Sequence, residues 1–545
     1  TEGTGQQPLV PGVGLDGQLS LKGSYASVSP LLDGTNRYLV SWTPCRLREV
    51  ATDRIVNCTE DRLQSEEYQP AEPVYGLWLL DINSETQRPV VPPVEGVQFD
   101  EAVLMKERPL EGFIPESQFA GPEGTLKDAG YGVLHIRSVY DIDGVDTTPA
   151  GIDVMADPLQ TPPEDRPARF LRLEKPVAIP DENIRDFDNS AFGRSRAQLM
   201  REILGYVPIE PDGSVKVAVP ANVAFAISIL DEQGQRMDGV LGNRHQNWLT
   251  VRPGETLECS GCHDPGNPEP HGRPDAGPES AWSGAVTTGR PFPNTDPSLY
   301  ADMGETMAEV FARVNEIRRP TPDVIYADEW SGAEVDPKPE SFTYAYADLE
   351  TPRPISEVCA TQWAPNCRIV INYEQHIHPL WSVNREELDP VSMDVIDATC
   401  TSCHTDTDAV DAQQVPAGQL DLTDGPSPDE PLHFNAYREL LFPDNEQELP
   451  NGALIDVLVD SGEVLEDEEG NPILDANGDV QPIMVTVTVQ PSMSVNGARF
   501  SSFFDVFAEG GTHEDRLTPA ELRLIAEWLD VGGQYFNNPF DAPED

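Results

Sequence analysis

Two stretches of this chain, ETLECSGCHDP at 255–265 and ATCTSCHTDTD at 398–408, each set two cysteines two residues apart with a histidine directly behind. Cys-x-x-Cys-His is the pattern that attaches a c-type haem. The two thiols add to the two vinyl groups of the porphyrin, and the histidine lies under the iron as its proximal ligand. Cys259, Cys262 and His263 are thereby assigned to haem one, and Cys400, Cys403 and His404 to haem two. A zinc ribbon would need its two knuckles roughly 15–20 residues apart, far closer than these. A thioredoxin-like dithiol would open a helix in a βαβ unit, and neither stretch sits in such a pattern. A chain with two covalent haems must wrap two flat macrocycles, and every other expectation is subordinate to that.

The balance of 94 acidic against 36 basic residues, only six of them lysine, gives a formal net charge of −58. Such a surface repels nucleic acid and anionic membranes. A partner that docks by charge is basic, or bridged through divalent cations. No uninterrupted apolar run reaches the 18 or so residues of a membrane span. The chain opens at Thr1 with no basic-then-apolar leader, the expectation for a processed, exported protein.

Four cysteines remain, and they fall as two local pairs. Cys45 with Cys58 and Cys359 with Cys367 are expected to form disulfides. Haem-c proteins mature in an oxidising compartment, so the expected location is the periplasm or the cell exterior.

Coarse patterning divides the chain into four segments. Residues 1–115 carry four strand-like runs, SYASVSPLLDG, RYLVSWTPCRL, VYGLWLLDI and QRPVVPPV, the content of one propeller blade. Residues 116–265 read as an Ig-like or transthyretin-like β-sandwich, with alternation over Val215, Val217 and Val219 and again from Val223 to Ile229. Its last strand runs into haem one. Residues 266–355 are a Pro/Gly-rich wrapping segment with one helix near 297–318, on which Met303 and Met307 share an apolar stripe. Residues 356–545 read as a cytochrome c-like domain with an inserted β-hairpin around 466–483. Its terminal helix has Thr518 as N-cap, Pro519 in the first turn and Glu521 completing a capping box. Leu522, Ile525 and Leu529 face one way, and Gly532–Gly533 end it. The fold class is therefore mainly β with a C-terminal α-rich, cytochrome c-like domain. Asp475, Asn477 and Asp479 in the hairpin resemble half of a calcium loop, but the terminal glutamate is missing and a solvated turn is favoured.

Function turns on the second axial ligand of each iron. A site closed by two protein ligands passes electrons, whereas an open face can bind a substrate. For haem two the favoured distal ligand is His513, just before the capped helix, with Met493 as the alternative. For haem one His376 is preferred, on the premise that His376 and His378 alternate along an extended segment. His245 and His378 are the alternatives.

Beyond the motifs, the run from RFLRLEKPVAIP through VPIEPDGSVKVAVPA and LTVRPGETLECSGCH resembles the middle domain of hydrazine synthase alpha-subunit-like proteins. INYEQHIHPLW, CTSCH and THEDRLTPAELRLIAEWLDVGGQYFNNPF resemble that family's C-terminal cytochrome domain, and the first hundred residues resemble its last propeller blade. The resemblance implies a dihaem layout with one catalytic and one electron-transferring haem, with His404 proximal and His513 distal on haem two.

The expectation is a secreted dihaem c-type cytochrome that carries electrons between bis-His haems. Redox proteins or further copies of itself, in an extracellular oligomer or filament, are its expected partners. The alternative is a haem oxidoreductase acting on nitrogen compounds or peroxide.

Overall fold

A computed structural model of the chain describes residues 9–13, 19–105, 122–242, 245, 247–267, 279–388, 394–467, 471–474 and 477–544. The chain is mainly β and divides into two compact units, Thr1–Ser117 and Gln118–Asp545.

In the first unit the four strand-like runs form β1 (Ser24–Pro30), β2 (Arg37–Thr43), β6 (Gly76–Asp81) and β7 (Thr86–Val91), an antiparallel sheet in that order. Between β2 and β6 the chain leaves for a second sheet of β3 (Arg46–Glu49), β4 (Ile55–Asn57) and β5 (Tyr68–Pro70), in the order β4-β3-β5. The Cys45–Cys58 disulfide staples its base. Val40 and Leu47, both almost fully buried, mark the inner faces of the two sheets.

The second unit is built in layers. Strands β8 (Tyr131–Ile136), β13 (Val215–Pro220) and β15 (Thr256–Cys259) form one sheet, in the order β13-β8-β15. Two short strands, β9 (Asp141–Ile142) and β10 (Val145–Asp146), make a tight hairpin after β8. Strands β11 (Phe170–Pro176), β12 (Arg201–Pro208) and β14 (Ala226–Leu230) form the other sheet, in the order β12-β11-β14. Leu134, Ile136, Val215 and Val217 of the first sheet share a core with Leu171, Leu173, Val207 and Ile229 of the second. The opposite face of the second sheet presents Phe170, Ile203, Tyr206 and Leu230 to Leu524, Ile525 and Trp528 of the terminal helix. Its strands are thus buried on both faces, and the period of two decides which side chain meets which layer.

The helices of the second unit include α1 (Gly239–Gly242), α2 (Met307–Val314), α3 (Cys400–Cys403), α4 (Asn435–Leu441) and α5 (Pro519–Asp530). Helix α2 starts later than its apolar stripe predicts, because Thr306 and Glu309 form a capping box there. Met307 is buried, and Met303 is left outside the helix and 72% exposed.

Helix α5 has the expected Thr518–Glu521 capping box. Its polar side, however, does not face water. Glu527 accepts hydrogen bonds from the hydroxyls of Tyr206 and Tyr346 and from Arg523 Nε, each at 2.6 Å. Asp530 accepts from Arg172 Nη1 at 3.1 Å, with both side chains at 0% exposure. Phe170, Arg172 and Glu174 alternate onto the α5-facing side of β11, which is why two charged residues can sit inside a central strand.

The inserted hairpin is longer than its loop predicts. Leu458–Val464 pairs antiparallel with Pro482–Thr486, and all seven residues of the first strand are exposed. Of the calcium-like triad, Asp475 lies outside the described residues. Among the described residues no helix is long and apolar enough to cross a membrane.

Candidate haem-binding sites

The first Cys-x-x-Cys-His begins on a strand. Cys259 ends β15, paired in parallel with Ile136 of β8. The β9–β10 hairpin then grips the motif: Cys262 N–H donates to Asp141 O at 2.8 Å, and Asp143 N–H donates to Cys262 O at 3.0 Å. Ser280 Oγ closes the other side, donating to Asp141 Oδ2 at 2.8 Å and to Ser260 O at 3.0 Å. A Cβ on Gly261 would lie 2.5 Å from Asp141 O, so only glycine fits between the two cysteines here.

The second motif is a turn of helix. Cys400–Cys403 form α3, and His404 N–H donates to Cys400 O at 2.9 Å. The four motif cysteines are unpaired thiols, whereas Cys45–Cys58 and Cys359–Cys367 are disulfide-bonded. Burial pushes the Cys259 thiol up to about 11 and the Cys262 thiol to about 12.

One histidine faces each motif histidine. The His404 and His513 rings have centroids 6.0 Å apart at an interplanar angle of 35°. The His245 and His263 rings have centroids 6.2 Å apart at 76°. Two imidazoles bound through one nitrogen each to a shared metal, at about 2 Å per bond, hold their ring centres roughly 6 Å apart. Both pairs match that spacing.

Hydrogen bonds on the far nitrogens reinforce the match. His404 Nδ1 lies 3.3 Å from Leu420 O, and His245 Nδ1 lies 2.5 Å from Asn247 O. A carbonyl can only accept, so Nδ1 carries the proton in both rings and Nε2 keeps its lone pair for a metal. His513 Nδ1 is 2.9 Å from Thr512 Oγ1. Burial lowers the pKa of His245, His404 and His513, keeping the imidazoles neutral, the form that ligates. A groove of about 600 Å³ is lined by Arg236, Val240, Gly242, Asp264, Asn496 and Phe500, so it borders Asp264, the residue after His263. The unpaired thiols and the paired imidazoles suit a haem.

His376, the residue preferred for haem one, is engaged elsewhere. Residues Tyr373–Ile377 are not extended but coil into a helical turn, continued by His378–Ser382. The alternation expected of a strand is therefore absent. His376 Nδ1 accepts the Asn372 N–H at 2.9 Å, so the ring caps its own turn, and burial pushes its pKa down to about 4. His378 is buried against Phe434, ring centres 4.7 Å apart, and Tyr373. Met493 lies in the core beneath α4, its N–H donating to Leu440 O at 3.1 Å. The residue that does face His263 is His245, the sequence alternative. Its signal was position: it lies in the loop leading into the segment that ends at the first motif.

Comparison with known proteins bears on this segment. No curated protein sequence matches the chain. The solved structure of Kuenenia stuttgartiensis hydrazine synthase aligns with 99% of this chain at 14% identity and a TM-score of 0.34. This chain covers 57% of that one, little more than half its length. Residues 178–264 match the family profile described as the hydrazine synthase alpha subunit middle domain. That segment holds His245 and the whole of the first Cys-x-x-Cys-His, and over it the chain is similar to the middle domain of the hydrazine synthase alpha subunit.

Proposed function

We propose that the chain is a dihaem c-type cytochrome that carries electrons, each iron held between two histidines: His263 with His245, and His404 with His513. The observation that carries this reading is the ring spacing of 6.2 Å and 6.0 Å at the two motifs. A haem closed on both faces supplies a one-electron couple without bond rearrangement. The protein's part is to hold each imidazole neutral and oriented, through Asn247 O and Leu420 O, and to keep water from the iron.

The first unit is read as a propeller-blade-like sheet and residues 356–545 as a cytochrome c-like domain, with the sandwich over 116–265 and the wrapping segment over 266–355 between them. The two disulfides support an oxidising compartment, the periplasm or the cell exterior. The strongly acidic chain favours a basic redox partner, and assembly with further copies needs cations or local basic patches to offset repulsion.

A second reading is a haem oxidoreductase acting on nitrogen compounds or peroxide. The family match over 178–264 favours it, because that match contains the haem-one segment.

Optical and EPR spectra of the oxidised protein decide between them. Two low-spin haems that ignore added hydroxylamine and peroxide support the carrier. A high-spin component that shifts with either ligand supports the enzyme. An intact mass without added porphyrin refutes both.

A further inference from the structure

Gly242 and Trp248, which flank His245 in the sequence, are both held by one buried network of charged side chains. At the Gly242 end, the Arg236 guanidinium donates to Gly242 O, the last residue of α1, and to Asn496 O from the C-terminal region. The Arg236 N–H donates to Asp530 Oδ2 at 2.9 Å. That carboxylate also accepts from Arg172 Nη1 at 3.1 Å and, through Oδ1, from Ala498 N–H at 3.0 Å. The packing is tight: a Cβ on Gly497 would lie 2.8 Å from both Arg236 Nη2 and Asp530 Oδ1.

At the rear end, Trp248 lies under the Arg201 guanidinium, 5.0 Å from ring centre to Cζ. Arg201 Nη1 donates to Glu174 Oε2 at 3.2 Å, and Glu174 Oε1 accepts from Arg172 Nε at 3.0 Å. Arg236, Asp530, Arg172, Glu174 and Arg201 therefore form a continuous bracket that holds Gly242 on one side of His245 and Trp248 on the other.

An imidazole on a loop remains a ligand only while the loop is held near the iron; a released loop leaves one axial face open. Buried charge networks are rigid because breaking one leaves an uncompensated charge. Here the network ties the loop to the end of α5, a helix of the C-terminal region. We propose that Arg236 is the positioning residue that holds His245 on haem one, its guanidinium tying Gly242 to Asn496 and its main-chain N–H tying it to Asp530. The inference rests on the bis-histidine reading of haem one.

The test uses the holoprotein with Arg236→Gln and, as a second variant that leaves every charged residue in place, Trp248→Leu. His245→Ala is the reference. Each variant should attach both haems, shown by intact mass, yet convert half of the total iron from low to high spin. Reduced protein should then bind carbon monoxide at one haem of two, and added imidazole should restore the low-spin spectrum. Arg236→Lys, which keeps one carbonyl contact, should fall between wild type and Arg236→Gln.

If Trp248→Leu and a folded Arg236→Gln both remain wholly low-spin while His245→Ala does not, the positioning role is wrong and the ligand assignment stands. If His245→Ala is itself wholly low-spin, the ligand assignment fails first.

Discussion

Glu521 and Asp530 stand near opposite ends of α5, about 13 Å apart along its axis, and each holds an arginine that borders a different haem motif. Glu521 Oε1 accepts from Arg385 Nη2 at 2.7 Å, and Arg385 N–H donates to Thr399 Oγ1 at 3.2 Å, immediately before Cys400. Asp530 accepts from Arg236, beside the His245 loop. One helix thus reaches both candidate centres, and changes at its two ends should be felt at different haems.

His513→Ala and His245→Ala should each turn one haem high-spin and leave the other untouched, read by EPR. His376→Ala should leave both haems low-spin. It removes a buried hydrogen bond within the Tyr373–Ile377 turn, so the expected effect is a stability loss of about 1–3 kcal/mol.

The two haems should give distinguishable low-spin signals. Imidazole planes crossed at 76° leave the iron's two π-type d orbitals nearly equal in energy, whereas planes at 35° split them. The His245–His263 haem should therefore show the more anisotropic EPR spectrum, and His245→Ala should remove that signal selectively.

Asp530→Ala should destabilise the second unit by about 3–5 kcal/mol, because it removes one of the two carboxylates that face the buried Arg172 charge and the acceptor of the Arg236 and Ala498 N–H groups. Denaturant unfolding followed by tryptophan fluorescence measures this. A loss below about 1 kcal/mol would show that Glu174 alone compensates Arg172.

Glu439 supplies a pH dependence. Burial first, then the neighbouring Asp444 and Asp421, raise its carboxyl from about 4.5 to about 8. Between those values the native state holds a proton that the unfolded state has released, so stability falls as pH rises across the window, by at most about 1.4 kcal/mol per unit. Glu439→Gln should leave melting near pH 4 unchanged and raise the melting temperature at pH 8. Equal shifts at both pH values would count against the raised carboxyl.

Replacing Cys45 and Cys58 together by serine should cost the first unit about 3 kcal/mol, in line with a sequence separation of 13. The visible spectrum of the second unit should not change. Limited proteolysis alongside absorption separates the two effects.

Local chemistry is what the sequence made legible. The four strand-like runs become the first sheet, the two expected cysteine pairs are disulfides, and Thr518 with Glu521 caps α5 as expected. The partner of His263 was harder, because it depends on where a loop lies in space. His376 looked suitable only if its segment were extended, and Asn372 N–H instead draws its ring into a helical turn. Arg523, Glu527 and Asp530 are charged residues of α5 that the structure buries. Their counterparts, Arg172, Tyr206 and Tyr346, lie about 170–360 residues away in sequence, and no periodicity within α5 reveals them.

The position of α5 in the chain also orders maturation. Synthesis runs from the N-terminus, so both thiol pairs emerge before the segment that clamps the regions around them. An attachment enzyme acting on the emerging chain would therefore meet both thiol pairs before docking of the last helix closes the regions around them.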